Sequence, residues 1–257
     1  MSAIQTDPAA SGALLAEPDL RGRVVLVTGA SGGLGAELSR QAAARGAIVI
    51  LCGRRVRPLE KIYDEIVASG AAEPAIYPID LEGATPADYE QLALSIGNEF
   101  GKLDGLVHAA ASFGGLVAHT QMPPEDWLKC IQVNLNAPVA LTQACLPVLQ
   151  KSDDAAILLL LEQNSRVGKA HWGAYGVAKF GLRGLLSQWS EELENTRVRV
   201  QGMVPTPMRT ALRARAYFAE NPGLIGSPDA VAATCVMLLS SAGRAWRGRI
   251  LDMNESM

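Results

Sequence analysis

The sequence predicts an α/β protein built on a doubly wound parallel sheet, and three observations support this fold class. Apolar runs alternate with helical patterns along the chain, as strands and crossover helices do in a parallel sheet. Hydrophobic residues make up 49% of the 257 residues, which is enough apolar material for a sheet buried on both faces. Neither an internal repeat nor a linker interrupts the pattern, so we expect a single domain.

The alternation defines each element of the predicted sheet in order. The apolar runs that predict strands are Val24–Val27, Ile48–Cys52, Ala75–Ile79, Leu103–Ala109, Ile157–Leu161, Val198–Val204 and Ile250–Leu251. The helical patterns between them cover residues 34–45, 57–69, 86–99, 124–150, 174–195 and 228–240. The domain is expected over residues 21–257. Residues 1–20 lack periodicity, so we expect them to form a flexible arm.

Composition and spacing exclude several classes of protein. A formal net charge of −3 argues against a nucleic-acid binder, because that function requires a basic surface. We find no signal-peptide pattern and no apolar run suited to a membrane span, so a cytoplasmic location is expected. The four cysteines and three histidines are widely spaced, so neither a metal site nor a disulfide framework is expected.

The segment from Thr28 to Gly35, which has the pattern T-G-x-x-x-G-x-G, is the first candidate binding site. It follows a predicted strand and opens a predicted helix, the context in which such a loop binds a nucleotide. Glycines let the backbone approach a pyrophosphate, and the helix N-terminus offers free N–H groups. A tight turn without a ligand is the alternative. The predicted nucleotide contacts in this loop are Gly29, Ser31, Gly33, Leu34 and Gly35.

Two arginines, Arg54 and Arg55, follow the second predicted strand. NAD-binding folds of this type place an acidic residue here to accept from the ribose 2′-hydroxyl. Guanidinium groups suit a 2′-phosphate instead, because they bind phosphate through paired, charge-assisted hydrogen bonds. The sequence therefore predicts NADP(H) in preference to NAD, with Arg54 as the main contact. A solvated basic helix start is the alternative.

Taken with two further segments, these motifs resemble the short-chain dehydrogenase/reductase family from about Arg21 to Asp252. The further segments are Tyr175-x-x-x-Lys179 and the asparagine Asn134, and residues 172–175 and 209–214 resemble the YciK subgroup. The resemblance implies a seven-stranded Rossmann sheet, a nicotinamide cofactor, a small-molecule substrate, and a homodimer or homotetramer. It also implies cofactor contacts at Asp80, Leu81, Ala109, Tyr175, Lys179, Pro205 and Thr210.

The candidate catalytic residues are Tyr175, Lys179, Asn134 and Glu162. Tyr175 and Lys179 are four residues apart and therefore share one helix face. A nearby ammonium is expected to lower the pKa of Tyr175, so that it exchanges a proton with a substrate oxygen. The resemblance implies that Asn134 holds a water that relays protons to Lys179. Together these residues predict carbonyl reduction by hydride transfer from NADP(H).

Three segments depart from the family pattern. Glu162 replaces the catalytic serine, Ala109–Ala111 replaces N-A-G, and Val204–Thr206 replaces N-P-G. An ionised Glu162 near Tyr175 would oppose a tyrosinate, a protonated one would donate to the substrate oxygen, and an ion pair would withdraw Lys179. A surface position is the remaining alternative. The departures leave a second hypothesis open: a catalytically impaired protein that binds nucleotide or a protein partner.

Other side chains are less informative. Arg209, Arg213 and Arg215 lie where relatives have a substrate lid; we expect a solvated helix face, the alternative being attraction of an acidic substrate. His108 is expected in the core and His171 at the surface. An apolar stripe on the helix after Trp172 predicts core packing, with a subunit interface as the alternative, and comprises Ala178, Leu182, Leu185, Leu186, Trp189 and Leu193.

Overall fold

The computed structural model of this chain describes residues 18–255. The arm expected over residues 1–20 lies outside the described residues except at its C-terminal end. There, Leu20 is fully buried and its N–H donates to the carbonyl of Arg45. The packed part of the chain therefore includes Leu20, which the expected boundary at residue 21 left out.

Seven strands form one parallel sheet in the order β3-β2-β1-β4-β5-β6-β7, which confirms the predicted architecture. Most of the strands are buried along their whole length, as expected for a sheet covered on both faces. The strands are β1 (Val24–Thr28), β2 (Ile48–Gly53), β3 (Ala75–Pro78), β4 (Gly105–His108), β5 (Ala155–Leu160), β6 (Val198–Val204) and β7 (Ile250–Asp252).

Helices connect the strands and cover both faces of the sheet. They are α1 (Gly33–Ala44), α2 (Val56–Ala68), α3 (Pro86–Phe100), α4 (Pro124–Ile131), α5 (Ala137–Leu149), α6 (Asn164–Val167), α7 (Gly173–Glu192), α8 (Ala211–Ala216) and α9 (Asp229–Leu239). The helix predicted over residues 124–150 is interrupted by a π-helical segment, Gln132–Asn136. The sequence did not predict α6 and α8, because helices of four and six residues are too short to show a period.

The core lies in two layers, one on each face of the sheet. One layer packs α3, α5 and α7 against the strands, and the other packs α1, α2 and α9. The apolar stripe of α7 belongs to the first layer, which confirms core packing for it. None of the helices within residues 18–255 has both the length and the apolarity needed to cross a bilayer.

Strand order determines where a binding site can form. The chain runs outward from β1 to β3 and then returns to β4 on the other side of β1. At such a reversal the loops that leave β1 and β4 separate, and a crevice opens beyond the carboxyl ends of the strands.

Candidate active site

A cleft of about 460 Å³ occupies this crevice. Its lining includes every residue that the sequence predicted to contact cofactor or substrate, except Asn134. The predicted residues that line it are Gly29, Ser31, Gly33, Leu34, Gly35, Arg54, Arg55, Asp80, Leu81, Ala109, Glu162, Tyr175, Lys179, Pro205 and Thr210. The glycine loop and the arginines line what we call the nucleotide end of the cleft. The part around Glu162 and Tyr175 is the substrate end.

The glycine loop has a backbone path that side chains would block. Gly29 has a φ of +66°, and a Cβ there would lie 2.8 Å from the Cα of Ala110. A Cβ on Gly35 would lie 2.2 Å from the carbonyl oxygen of Gly29. Gly32 caps α1 without a side-chain hydrogen bond, and the first turn of the helix has no acidic residue. The first N–H groups of α1 therefore remain available to an anion in the cleft.

Thr28 anchors the loop that follows β4. Its hydroxyl donates to the carbonyl of Val107 at 3.2 Å and accepts from the N–H groups of Ala109 and Ala110, each at 3.1 Å. These bonds hold the Ala109–Ala111 segment beside Gly29 although no asparagine side chain is present there. Thr28 is not among the residues predicted from the sequence to have a role in the site, although its position at the start of the glycine motif could have indicated one.

The carboxyl end of β2 forms a cationic edge of the cleft. Arg54 and Arg55 are exposed, and neither forms an ion pair with any acidic group in residues 18–255. Asp80, after β3, accepts at Oδ1 from the N–H of Glu82 at 3.2 Å, and the neighbouring Leu81 is buried. The nucleotide end is thus lined by an apolar side chain and by two guanidinium groups that have no acidic partner within the described residues.

Glu162 and Tyr175 are in direct contact at the substrate end. The Tyr175 hydroxyl donates to Oε1 of Glu162 at 3.1 Å, and Arg166 donates to Oε2 of the same carboxylate at 3.2 Å. The side chain of Glu162 is only 12% exposed, so a surface position for it is wrong. Among the described residues no ion pair joins Glu162 to Lys179, because the carboxylate pairs with Arg166 instead.

The expected effect of Lys179 on Tyr175 is contradicted by the structure. Burial, followed by the charge and hydrogen bond of Glu162, raises the pKa of Tyr175 well above its ordinary value. Lys179 lies over the tyrosine ring with Nζ 5.4 Å from the centroid, and it donates to the carbonyl of Leu160 at 2.7 Å. Burial lowers the pKa of Lys179 itself. Desolvation and the carboxylate therefore outweigh the charge of Arg166, which lowers the pKa of Tyr175.

Asn134 is buried behind the cleft wall and does not line it. Its side chain accepts from the N–H of Ser112 at 3.2 Å and donates to the carbonyls of Ser112 and Cys130, both at 2.7 Å. The bond to Cys130 occupies the carbonyl oxygen, four residues back, that would accept from the backbone N–H of Asn134 in an α-helix. This competition accounts for the π-helical segment. A relay role for Asn134 remains a prediction.

The lid arginines differ from one another. Arg213 is only 14% exposed, pairs with both carboxylate oxygens of Glu220 at 2.6 Å, and lies 4.6 Å over the ring of Tyr217. A solvated position is therefore wrong for Arg213. Arg215 donates to the carbonyl of Phe113 at 3.1 Å, which ties α8 to the loop after β4. Arg209 is exposed, as expected.

Aromatic rings surround Tyr175 at the substrate end. The centroid of Phe113 lies 5.3 Å and that of Trp172 5.9 Å from the Tyr175 ring, and Tyr217 lies 6.3 Å from Trp172. Phe113 and Tyr217 were not predicted from the sequence, because they come from distant segments and no local pattern marks them. Arg166 was not predicted either, although its i, i+4 spacing from Glu162 could have indicated an ion pair.

The two histidine predictions are confirmed. His108 is buried and its Nε2 lies 2.9 Å from the hydroxyl of Thr142, and burial lowers its pKa to about 3. His171 is exposed. Across residues 18–255 we find no group of three or more histidine, cysteine or acidic residues that could hold a metal ion.

Comparison with known proteins gives consistent matches. Residues 23–220 match the family model described as short chain dehydrogenase. The Escherichia coli K12 protein described as uncharacterized oxidoreductase YciK is 34% identical over 91% of this chain and 92% of its own length. A Pseudomonas syringae structure assigned as a short chain dehydrogenase has 38% identity and a TM-score of 0.86, over 98% and 99% of the two chains. One from Shigella flexneri, complexed with NADP, has 33% identity and a TM-score of 0.88, over 92% and 99%.

Proposed function

Because the chain belongs to the short-chain dehydrogenase family of oxidoreductases, we propose that it uses NADP(H) to reduce the carbonyl group of a small molecule. The observation that carries this proposal is that one continuous cleft is lined by the N-terminus of α1, by the Tyr175 side chain and by two arginines without an acidic partner among the described residues. The NADP complex of the Shigella flexneri relative supports the choice of cofactor. Family membership also supports a homodimer or homotetramer, which light scattering tests.

The residues at the nucleotide end fit a dinucleotide with a 2′-phosphate. The free N–H groups of α1 would hold the pyrophosphate, and Gly35 keeps that backbone within reach. Arg54 would bind the 2′-phosphate, with Arg55 beside it, because both guanidinium groups lack an acidic partner among the described residues. The adenine would lie against Leu81. When bound, the cofactor supplies the hydride.

Tyr175 would act as the general acid. Because burial and Glu162 raise its pKa, the hydroxyl keeps its proton at neutral pH. The raised pKa would hinder proton abstraction from an alcohol, which requires the tyrosinate, more than proton donation to a carbonyl oxygen, so we propose reduction as the working direction. A carbonyl substrate must compete with Glu162 for that proton. Lys179, against the tyrosine ring, is the group through which the proton would be replaced.

An equilibrium titration with NADPH and with NADH, followed by nucleotide fluorescence, tests the cofactor. We expect NADPH to bind at least about tenfold more tightly, because hydrogen bonds between charged groups contribute about 1.5–3 kcal/mol. Absence of binding by either nucleotide would overturn the proposal. A screen of ketones and aldehydes with NADPH then tests the reaction. Tyr175→Phe should abolish carbonyl reduction and leave nucleotide affinity unchanged.

The hydrogen bond from Tyr175 to Glu162 also favours a second candidate, a nucleotide-binding protein without turnover. In that case NADPH raises the melting temperature, because it binds the folded state, but no substrate is reduced. Glu162→Ser separates the two candidates. A strong gain of reductase activity in this variant would argue against a settled non-catalytic role, and no gain would favour it.

A further inference from the structure

The carboxylate of Glu162 changes which electrophile the substrate end can hold. A carbonyl oxygen only accepts hydrogen bonds, so it gains nothing from a neighbouring carboxylate, which also only accepts. A protonated C=N group has an N–H donor and a positive charge. We propose that this cleft reduces a C=N bond in its cationic form, with the cation held between Glu162 and the aromatic rings around Tyr175. The inference rests on the proposed NADP(H) site and replaces the carbonyl substrate.

Glu162 is held as a fixed acceptor. Arg166 donates to its Oε2, and the second terminal nitrogen of Arg166 donates to Gln163 at 3.2 Å. Among the described residues Oε1 accepts one hydrogen bond, from Tyr175, and a carboxylate oxygen has two lone-pair positions. Glu162 also lines the cleft. One acceptor position therefore remains beside the Tyr175 hydroxyl, where a substrate nitrogen can donate.

The proton balance favours a cationic C=N group over a carbonyl. Reduction of C=O requires a hydride at carbon and a proton at oxygen, and here the Tyr175 proton is already donated to Glu162. A protonated or N-alkylated C=N needs the hydride alone. Bound NADPH would supply that hydride to carbon and leave as NADP⁺, and the π electron pair would become the lone pair of the amine nitrogen. The Tyr175 proton stays in place.

The aromatic rings provide a second binding element for the cation. Phe113 and Trp172 lie with their centroids 5.4 Å apart, and both rings contact Tyr175. Ring faces attract cations, more strongly where water is excluded, and flat rings fit a planar substrate. Tyr217, next to Trp172, extends this wall of the cleft.

The positive groups nearby are largely occupied by partners. Arg166 is paired with Glu162, and Arg213 is paired with Glu220 through two hydrogen bonds. Arg215 donates to the carbonyl of Phe113. Lys179 lies at the Tyr175 ring, and burial lowers its pKa, which weakens its opposition to a bound cation. Glu162 and the ring faces are therefore the groups that determine the preference.

Two probes of the same two-ring shape test the proposal: protonated dihydroisoquinoline, a cation with a C=N–H group, and the ketone tetralone. NADPH oxidation is followed by absorbance, with the rate in the absence of protein subtracted. We expect a kcat/KM for the cation at least about tenfold above that for the ketone, the effect of one charge-assisted contact. Both probes are assayed at the same pH, chosen so that the imine nitrogen is protonated.

Three variants should change the kcat/KM values of the two probes in different ways. Glu162→Gln keeps the side-chain shape and should lower kcat/KM for the cation about 10-fold to 100-fold, without lowering it for tetralone. Tyr175→Phe should lower kcat/KM for tetralone by a much larger factor than for the cation, because only the ketone takes up a proton. Glu191→Gln makes the same change on the exposed end of α7 and should match wild type.

The outcomes separate the inference from the proposed function. If NADPH binds but the cation is not reduced, or if Glu162→Gln leaves its kinetics unchanged, the inference is wrong and the NADP(H) site stands. If neither NADPH binding nor NADPH-dependent turnover is detected, the proposed function fails and the inference fails with it. Should Glu162→Gln not fold, Glu162→Ser provides the same test, since it also removes the carboxylate.

Discussion

The two ends of the cleft are constructed from different parts of the chain. The nucleotide end is formed by backbone, with Gly29 and Gly35 packed against neighbouring main chain and the N-terminus of α1 left free. The substrate end is formed by side chains, with Glu162, Arg166 and Tyr175 in one hydrogen-bonded group. A backbone site tolerates few substitutions. A side-chain site changes its chemistry with a single residue, and the fold remains the same.

The largest effect is expected from a substitution at the nucleotide end. Gly35→Ala places a Cβ 2.2 Å from the carbonyl oxygen of Gly29, so the loop backbone must move. We expect a loss of about 3 kcal/mol in the free energy of unfolding and no measurable NADPH binding. Urea denaturation and nucleotide titration measure the two effects.

Gly83→Ala is the matched control for Gly35→Ala. Gly83 is exposed and has no atom within 4 Å of the position of a Cβ. Its substitution should change the free energy of unfolding by less than about 0.5 kcal/mol and leave NADPH affinity intact. Equal losses in both variants would show that the backbone contact at Gly35 is not the cause.

The second-largest effect concerns Arg54, a side chain at the nucleotide end. Arg54→Ala should weaken NADPH binding about 10-fold to 100-fold and leave NADH binding unchanged, because only NADPH carries the 2′-phosphate. Arg57→Ala is the control, since Arg57 is also exposed but does not line the cleft. Equal losses for NADPH and NADH in Arg54→Ala would contradict the assignment of Arg54 to the 2′-phosphate.

The same contrast explains what the sequence could predict. Strand and helix order followed from apolar periodicity, and the glycine loop followed from a local motif whose spacing reflects backbone geometry. The substrate end combines distant segments: Arg215 bonds to Phe113, 102 positions away, and no local pattern encodes that contact. The predicted direction of the shift in the pKa of Tyr175 was wrong for a related reason. Burial, its largest cause, is a property of the folded chain.

The smallest effect concerns His108, which lies between the two ends of the cleft. Ala109 of the nucleotide end follows it in the chain, and Lys179 is near enough for its charge to affect the pKa of His108. Burial, and then the charge of Lys179, lowers the pKa of His108 from 6.5 to about 3. Between these values the unfolded chain binds a proton that the folded chain does not. The contribution of neutral His108 to the free energy of unfolding is therefore fully present above pH 6.5 and is lost as the pH decreases below that value.

Urea denaturation at pH 6.5 and at pH 5 measures this contribution. We expect a loss of about 2 kcal/mol in wild type over this interval, because each pH unit corresponds to about 1.36 kcal/mol for one proton. His108→Gln should remove this loss, whatever its stability at pH 6.5. The carboxyl groups of Asp154 and Glu220, whose pKa values are lowered from 3.8 and 4.5, act at lower pH and do not contribute. An unchanged slope in His108→Gln would mean that the imidazole can be protonated in the folded chain, and that the strand end beneath the cleft is open to water.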